Sequence, residues 1–247
     1  VKNLWLPQRG VKTGAQFRLF CFPHAGGGTG AYHRWSYELP PEIDVLPVLL
    51  PGRERRIAEP AFRDLHQIVL AIVNDLSNLF DVPYALFGHS MGALVSFEVC
   101  RELRRRGQRL PQQLVVAACR APQRVYGPDL LHLLPDKEFI SAMQSKFGGI
   151  PREIAANQDL LQLFLPTLRS DLTAVETYRY MEEAPLDCPV TALGGVGDRQ
   201  VSAADLAAWR QQTTQKFSQK LFPGGHFFVT ECESDVIRVT QRQLERA

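Results

Sequence analysis

The sequence predicts an α/β architecture: a mostly parallel sheet with helices on both faces. Three observations carry this. Short apolar runs alternate with longer segments of helical period. Most of the runs are apolar at every position, as strands covered on both faces require. No internal repeat or low-complexity tract interrupts the alternation. The chain has 247 residues. A chain of that size buries roughly 70–75% of its unfolded surface, so its core needs neither disulfide nor metal. One domain over residues 1–247 is expected.

Phe17–Phe22 (FRLFCF) reads as a buried strand that runs straight into a glycine-rich loop, His24–Gly30. Val45–Leu50 reads as a second strand, and Pro47 within it predicts an edge or a bulge. Leu65–Phe80 carries a helical stripe at Leu65, Ile68, Val69, Ile72, Val73, Leu76, Leu79 and Phe80. Tyr84–Phe87 is a short strand, and Met91–Arg106 a helix ended by Gly107. Leu114–Ala118, Val190–Leu193 and Phe217–Phe222 complete the strands. Helices follow the last two at Ala203–Gln211 and Asp235–Leu244.

Residues 120–181 break the rhythm. They hold helical patches rich in Leu, Phe and Met but no convincing strand. A Gly148–Pro151 turn separates the first patches from a later one at Leu160–Tyr178. This segment reads as a helical lid inserted over the C-terminal edge of the sheet, where open α/β sheets bind ligands.

Lys and Arg number 28 against 26 Asp and Glu, a formal net charge of +2. That balance argues against a nucleic-acid footprint and a polybasic membrane patch. The one basic run, Arg101, Arg104, Arg105 and Arg106, falls at a helix C-terminus, where cations suit the macrodipole. No stretch of about 20 apolar residues exists, so no membrane span is expected. Val1–Gly10 has no apolar stretch and does not read as a signal peptide. The five cysteines, Cys21, Cys100, Cys119, Cys188 and Cys232, include no C-x-x-C pair. An odd count without paired spacing fits a reducing, cytoplasmic setting.

Gly88-His89-Ser90-Met91-Gly92 is a G-x-S-x-G sequence with a strand before it and a helix after it. That context is the nucleophile elbow of the α/β-hydrolase fold. Ser90 must stand on a sharp turn to project its hydroxyl above the sheet. Side chains at positions 88 and 92 would collide with neighbouring backbone there. A serine hydroxyl needs a base, and this fold orders its triad Ser, then acid, then His. His226 is the expected base, in a loop after a strand, with Gly224 and Gly225 before it and Phe227 and Phe228 after it. His132 lies in the Leu-rich insertion and reads as a packing or surface residue. Asp198, just past the strand ending near Gly195, is the expected acid. Asp187 precedes that strand and so lies at the wrong end. Asp171 reads as a salt-bridge partner of Arg169, and Asp205 sits on the following helix.

The oxyanion hole of this fold is built from backbone N–H groups. Met91, after the nucleophile, and Ala25, in the loop after the first strand, are the expected donors. The glycines of that loop match neither the G-x-x-x-x-G-K-[ST] nor the G-x-G-x-x-G phosphate pattern. No cofactor and no metal are expected.

Taken together, these stretches resemble the type II thioesterases of polyketide and nonribosomal peptide biosynthesis. The likeness runs from Leu19 to about Leu244. It rests on Phe22–Gly27, Leu50–Glu54, Gly88–Ala93, Leu165–Asp171, Tyr178–Tyr180, Gly194–Asp198 and Gly224–Phe228. The resemblance implies the same triad, Ser90, Asp198 and His226, and the same oxyanion donors, Ala25 and Met91. His24, Arg53 and His89 fall beside the expected site and are candidate substrate-binding residues. The implied substrates are acyl or aminoacyl groups on the phosphopantetheine arm of an acyl or peptidyl carrier protein, and the implied task is editing. A monomer is expected. A chain-terminating fatty acyl thioesterase and a small-ester carboxylesterase share the triad and stay open as alternatives.

Overall fold

The computed structural model describes residues 3–6, 11–12, 14–124, 130–148, 150, 154 and 156–245. The elements run β1 (Phe17–Phe22), α1 (Trp35–Glu38), β2 (Ile43–Pro47), α2 (Leu65–Leu76), β3 (Tyr84–His89), α3 (Met91–Arg105) and β4 (Gln113–Ala117). Then come α4 (Asp136–Phe147), α5 (Gln158–Glu176), β5 (Val190–Gly195), α6 (Ala203–Ala207), β6 (Phe217–Phe222), α7 (Phe228–Glu231) and α8 (Glu233–Leu244).

The six strands form one sheet in the order β2-β1-β3-β4-β5-β6. Every neighbouring pair is parallel. Strands covered on both faces alternate their side chains between two cores. Phe20, Phe22, Leu86, Leu114 and Val116 pack with α2 and α3. Leu19, Cys21, Ala85, Phe87 and Val115 pack on the other face with Trp35, Val236 and Ile237 of α1 and α8. The edge placement read from Pro47 is what the sheet has: β2 is an outer strand and stops at Pro47 rather than Leu50. The backbone then leaves the ladder, with Leu49 donating to the Trp5 carbonyl at 2.8 Å.

Residues 130–148 and 156–181 contain helices and no strand. Gly149 and Pro151, two residues of the expected turn, lie outside the described residues. Phe139 and Met143 of α4 and Leu165, Leu168 and Leu172 of α5 form a third core, apart from the two of the sheet. Helix α5 runs through Pro166, whose missing N–H costs one helical hydrogen bond.

The basic run on α3 is more than a helix-end preference. Arg101 pairs with Glu98 at 2.6 Å, and Arg104 with Glu183 and Arg106 with Glu102 at 2.7 Å. These carboxylates offset most of the positive charge that the sequence concentrates there. No disulfide joins the described cysteines.

Candidate active site

The chain climbs β3 and reverses at once into α3, and Ser90 is the residue at the reversal. Its φ of 55° and ψ of −114° belong to backbone that side-chain-bearing residues rarely adopt, at a cost of about 1–3 kcal/mol. Its N–H donates to the Ala117 carbonyl at 2.8 Å. The flanking glycines are required by contact. A Cβ on Gly88 would lie 2.2 Å from the Gly92 carbonyl oxygen, and one on Gly92 would lie 2.1 Å from that of Phe22.

His226 leaves the end of β6 on the Gly224–Gly225 turn, where Gly224 has φ +101°. Phe228 anchors the turn, fully buried and stacked on Phe222. His226 Nε2 lies 2.9 Å from Ser90 Oγ, and Nδ1 lies 2.8 Å from Asp198 Oδ2. The Asp198 side chain is completely buried. Its second oxygen accepts from the N–H groups of Gln200 and Val201 at 2.8 and 3.3 Å. The carboxylate is therefore held from behind and presents one oxygen to the imidazole. Three strand ends supply the three residues: β3, β5 and β6.

Ala25 and Met91 line the same cavity as Ser90 and His226, a space of about 240 Å³. Met91 is the first residue of α3, so its N–H has no carbonyl to meet within the helix. Beyond the reacting groups the apolar part of the wall is Ala118 and Cys119 after β4, and Met143, Phe147, Leu172 and Val175 from α4 and α5, while Arg120, Lys146, Glu176 and Gln200 add polar groups. Helices α4 and α5 thus form one side of the cavity.

The three expected substrate-binding residues part company. His24 faces the cavity, with its ring 5.1 Å from that of Phe227. Burial, then the charges of His226 and Arg53, lower its pKa to about 4. His89 is buried, does not line the cavity, and donates from Nε2 to the His226 carbonyl at 2.9 Å. Burial also holds its pKa well below the usual histidine value. Arg53 is buried and absent from the cavity wall. It forms a two-pronged pair with Asp171 at 2.8 and 2.7 Å and donates to the Gly27 carbonyl at 2.9 Å. Arg53 and His89 both bond the backbone that carries the site, at Gly27 and His226. The expected Asp171–Arg169 pairing is corrected. Arg169 reaches Asp136 and the carbonyls of His132 and Leu134. Glu54, next to Arg53, accepts from the Thr29 N–H and hydroxyl at 2.6 and 2.7 Å. Nothing local in the sequence signals these ties, which span 118 residues for Arg53–Asp171 and 25 for Glu54–Thr29. His132 is buried against Glu176, in keeping with a packing role.

A buried carboxylate, an imidazole and a serine on a strained turn form the arrangement that activates a hydroxyl for acyl transfer. The thioesterase-domain family profile matches residues 17–244 of the chain. This chain belongs to the thioesterase family. It is a hydrolase acting on thioesters, and its sequence and fold group it with the type II thioesterases. It is 40% identical over 98% of its length, and 94% of the relative's, to the gramicidin S biosynthesis protein GrsT of Aneurinibacillus migulanus. It is 36% identical to the thioesterase PikA5 of Streptomyces venezuelae, covering 93% of this chain and 81% of that one. The solved structure of the type II thioesterase BorB from the borrelidin biosynthetic cluster superposes with a TM-score of 0.86 at 34% identity, covering 98% of this chain and 96% of that one.

Proposed function

We propose that this chain edits biosynthetic assembly lines, hydrolysing acyl or aminoacyl thioesters from the phosphopantetheine arm of an acyl or peptidyl carrier protein. The observation that supports it most is the unbroken Ser90–His226–Asp198 chain opening onto a cavity that two helices line with Met143, Phe147, Leu172 and Val175, beside Lys146 and Glu176. In this reading His226 takes the Ser90 proton and Ser90 Oγ attacks the thioester carbonyl. The N–H groups of Met91 and Ala25 hold the oxyanion, and the buried Asp198 steadies the imidazolium. The tetrahedral intermediate collapses, the C–S bond breaks, and the pantetheine sulfur leaves with the proton from His226. Water then attacks the acyl-enzyme, with His226 as base again, releasing the acid and restoring Ser90. His24 faces the substrate as a neutral imidazole. The insertion acts as a lid on a single domain. The protein works as a cytoplasmic monomer, without metal or cofactor, and the carrier protein docks at the mouth between lid and loops. No described helix is long and apolar enough to cross a membrane.

The test is acyl release from a loaded carrier protein, beside the same acyl group on coenzyme A and as a p-nitrophenyl ester. Release from the carrier is expected to be fastest and to fall about a million-fold in Ser90→Ala. If the simple ester is hydrolysed fastest and the carrier substrate is ignored, the editing role is wrong while the triad stands.

A further inference from the structure

The expected oxyanion donor Ala25 sits in a loop of seven residues, five of them Gly or Ala between positions 25 and 30. Glycines leave a backbone free to adopt many conformations, yet an oxyanion hole works only when its donors are fixed before the reaction. Something must therefore hold this loop from outside. Its own turn is slight: the Gly27 N–H donates to the His24 carbonyl at 2.8 Å. The stronger hold comes from α5. Asp171 Oδ2 accepts from the Gly26 N–H at 2.7 Å and from Arg53 at 2.8 Å, while Oδ1 accepts from Arg53 at 2.7 Å. Arg53 in turn donates to the Gly27 carbonyl at 2.9 Å. The pair grips the loop by one N–H and one carbonyl on consecutive residues. The peptide next in line toward β1 carries the Ala25 N–H. Both side chains are almost wholly buried, at 1% and 7% exposure. Water therefore competes little for these bonds, and charge-assisted, two-pronged geometry makes them stiff.

The same helix bears Leu172 and Val175 on the cavity wall. Its seating against the sheet domain is thus tied to the oxyanion loop through one carboxylate. The geometry points to Asp171 and Arg53 as positioning residues for the thioesterase reaction. They hold the Ala25 N–H in register with Met91, and they make the oxyanion hole complete only when α5 is seated. This inference rests on the roles proposed above for Ser90, Ala25 and Met91.

The test needs a protein that loses the tie without stranding a buried charge. Exchanging a whole buried ion pair for apolar residues of similar volume often leaves stability intact, whereas removing one partner is strongly destabilising. The double variant Asp171→Leu/Arg53→Met is the first choice. Asp171→Glu, which keeps the charge pair and displaces its oxygens, is the second. Steady-state kinetics would be measured with a short acyl pantetheine thioester. Inhibition would be measured with an alkyl boronic acid, which forms a tetrahedral anion on serine, and with a non-cleavable thioether analogue of the substrate. A thermal melt would monitor folding. We expect kcat to fall about 10²-fold, the loss typical of misplaced catalytic groups, with KM changed by less than about threefold. Boronate affinity should fall in parallel with kcat, and thioether affinity should not. A residue that only supports the fold would lower the melting temperature without separating these two inhibitors. If either folded variant keeps kcat and boronate affinity within about threefold of the parent, or loses only KM, the inference is overturned. Should the double variant not fold, Asp171→Glu decides alone by the same criteria. If boronate fails to inhibit the parent and Ser90→Ala remains active, it is the reading of the site that falls.

Discussion

Three imidazoles crowd the site, and their environments separate their tasks. His226 meets a carboxylate on one nitrogen and a hydroxyl on the other. His89 spends its N–H on the His226 carbonyl, and burial keeps both His89 and His24 neutral. A positive charge arising on His226 during turnover therefore meets no cationic imidazole beside it. His24 has a consequence for stability. Its folded pKa of about 4 lies below the unfolded value near 6.5, so the unfolded chain binds more protons between those limits. Stability is full above the upper value and is lost as the pH falls through the window toward the lower one. His24→Gln should flatten the fall in melting temperature across that window and leave the value at neutral pH nearly unchanged. His89 titrates in the same direction, so part of the slope should remain. Melts at a series of pH values check this, and an unaltered slope would show that His24 is not held neutral. For His89→Leu, loss of the donor to a buried carbonyl should cost about 1–3 kcal/mol, measured by urea unfolding.

The elbow between β3 and α3 was readable from sequence because its demands are local. A strand, a tight turn and a helix must follow within a few residues, and only glycine fits at positions 88 and 92. Gly92→Ala should destabilise by about 3 kcal/mol, the upper range for forcing extra atoms into packed backbone. Gly107 is the comparison. It has φ +64° but open space around it, so Gly107→Ala should cost only the conformational penalty of about 1–2 kcal/mol. Denaturant unfolding of the two variants would separate close contact from backbone strain, and equal losses would contradict the contact argument. The strands were legible for a related reason: burial on both faces leaves unbroken apolar runs, as in β3 and β4. The ends were less so. The Leu65 helix gives way after Leu76 to a tighter turn over Ser77–Leu79, where the apolar stripe continues but the hydrogen bonding changes. The four-residue helices α1 and α7 carry too few residues for any period to show. Asp171 marks the limit of local reading. Arg169 is its neighbour in sequence, but the partner that matters comes from the loop after β2, and only the folded chain brings the two together.

Across the whole molecule, burial is distributed unevenly between the sheet and the insertion. In α3, thirteen of fifteen residues are buried, between the sheet and α2. In α4, only Phe139 and Met143 are buried among twelve. Helices α4 and α5 share a small core of their own, and Ala25 of the loop after β1 packs against it. Segments with few buried apolar contacts open at lower free energy than the global transition. The amides of α4 should therefore exchange hydrogen well before those of β3, β4 and α3 under native conditions. Met143 and Phe147 of α4 line the cavity beside Ser90, so a ligand anchored on the serine would add contacts that the open form lacks. Anything that binds the closed form alone stabilises it against opening. Labelling Ser90 with a long-chain alkyl fluorophosphonate should thus slow exchange in α4 and leave the protected strands unchanged. A short methyl fluorophosphonate should protect α4 less, because it does not reach those side chains. Equal protection by both, or exchange in α4 as slow as in α3 before labelling, would mean that the insertion is a rigid part of the sheet domain and not a lid.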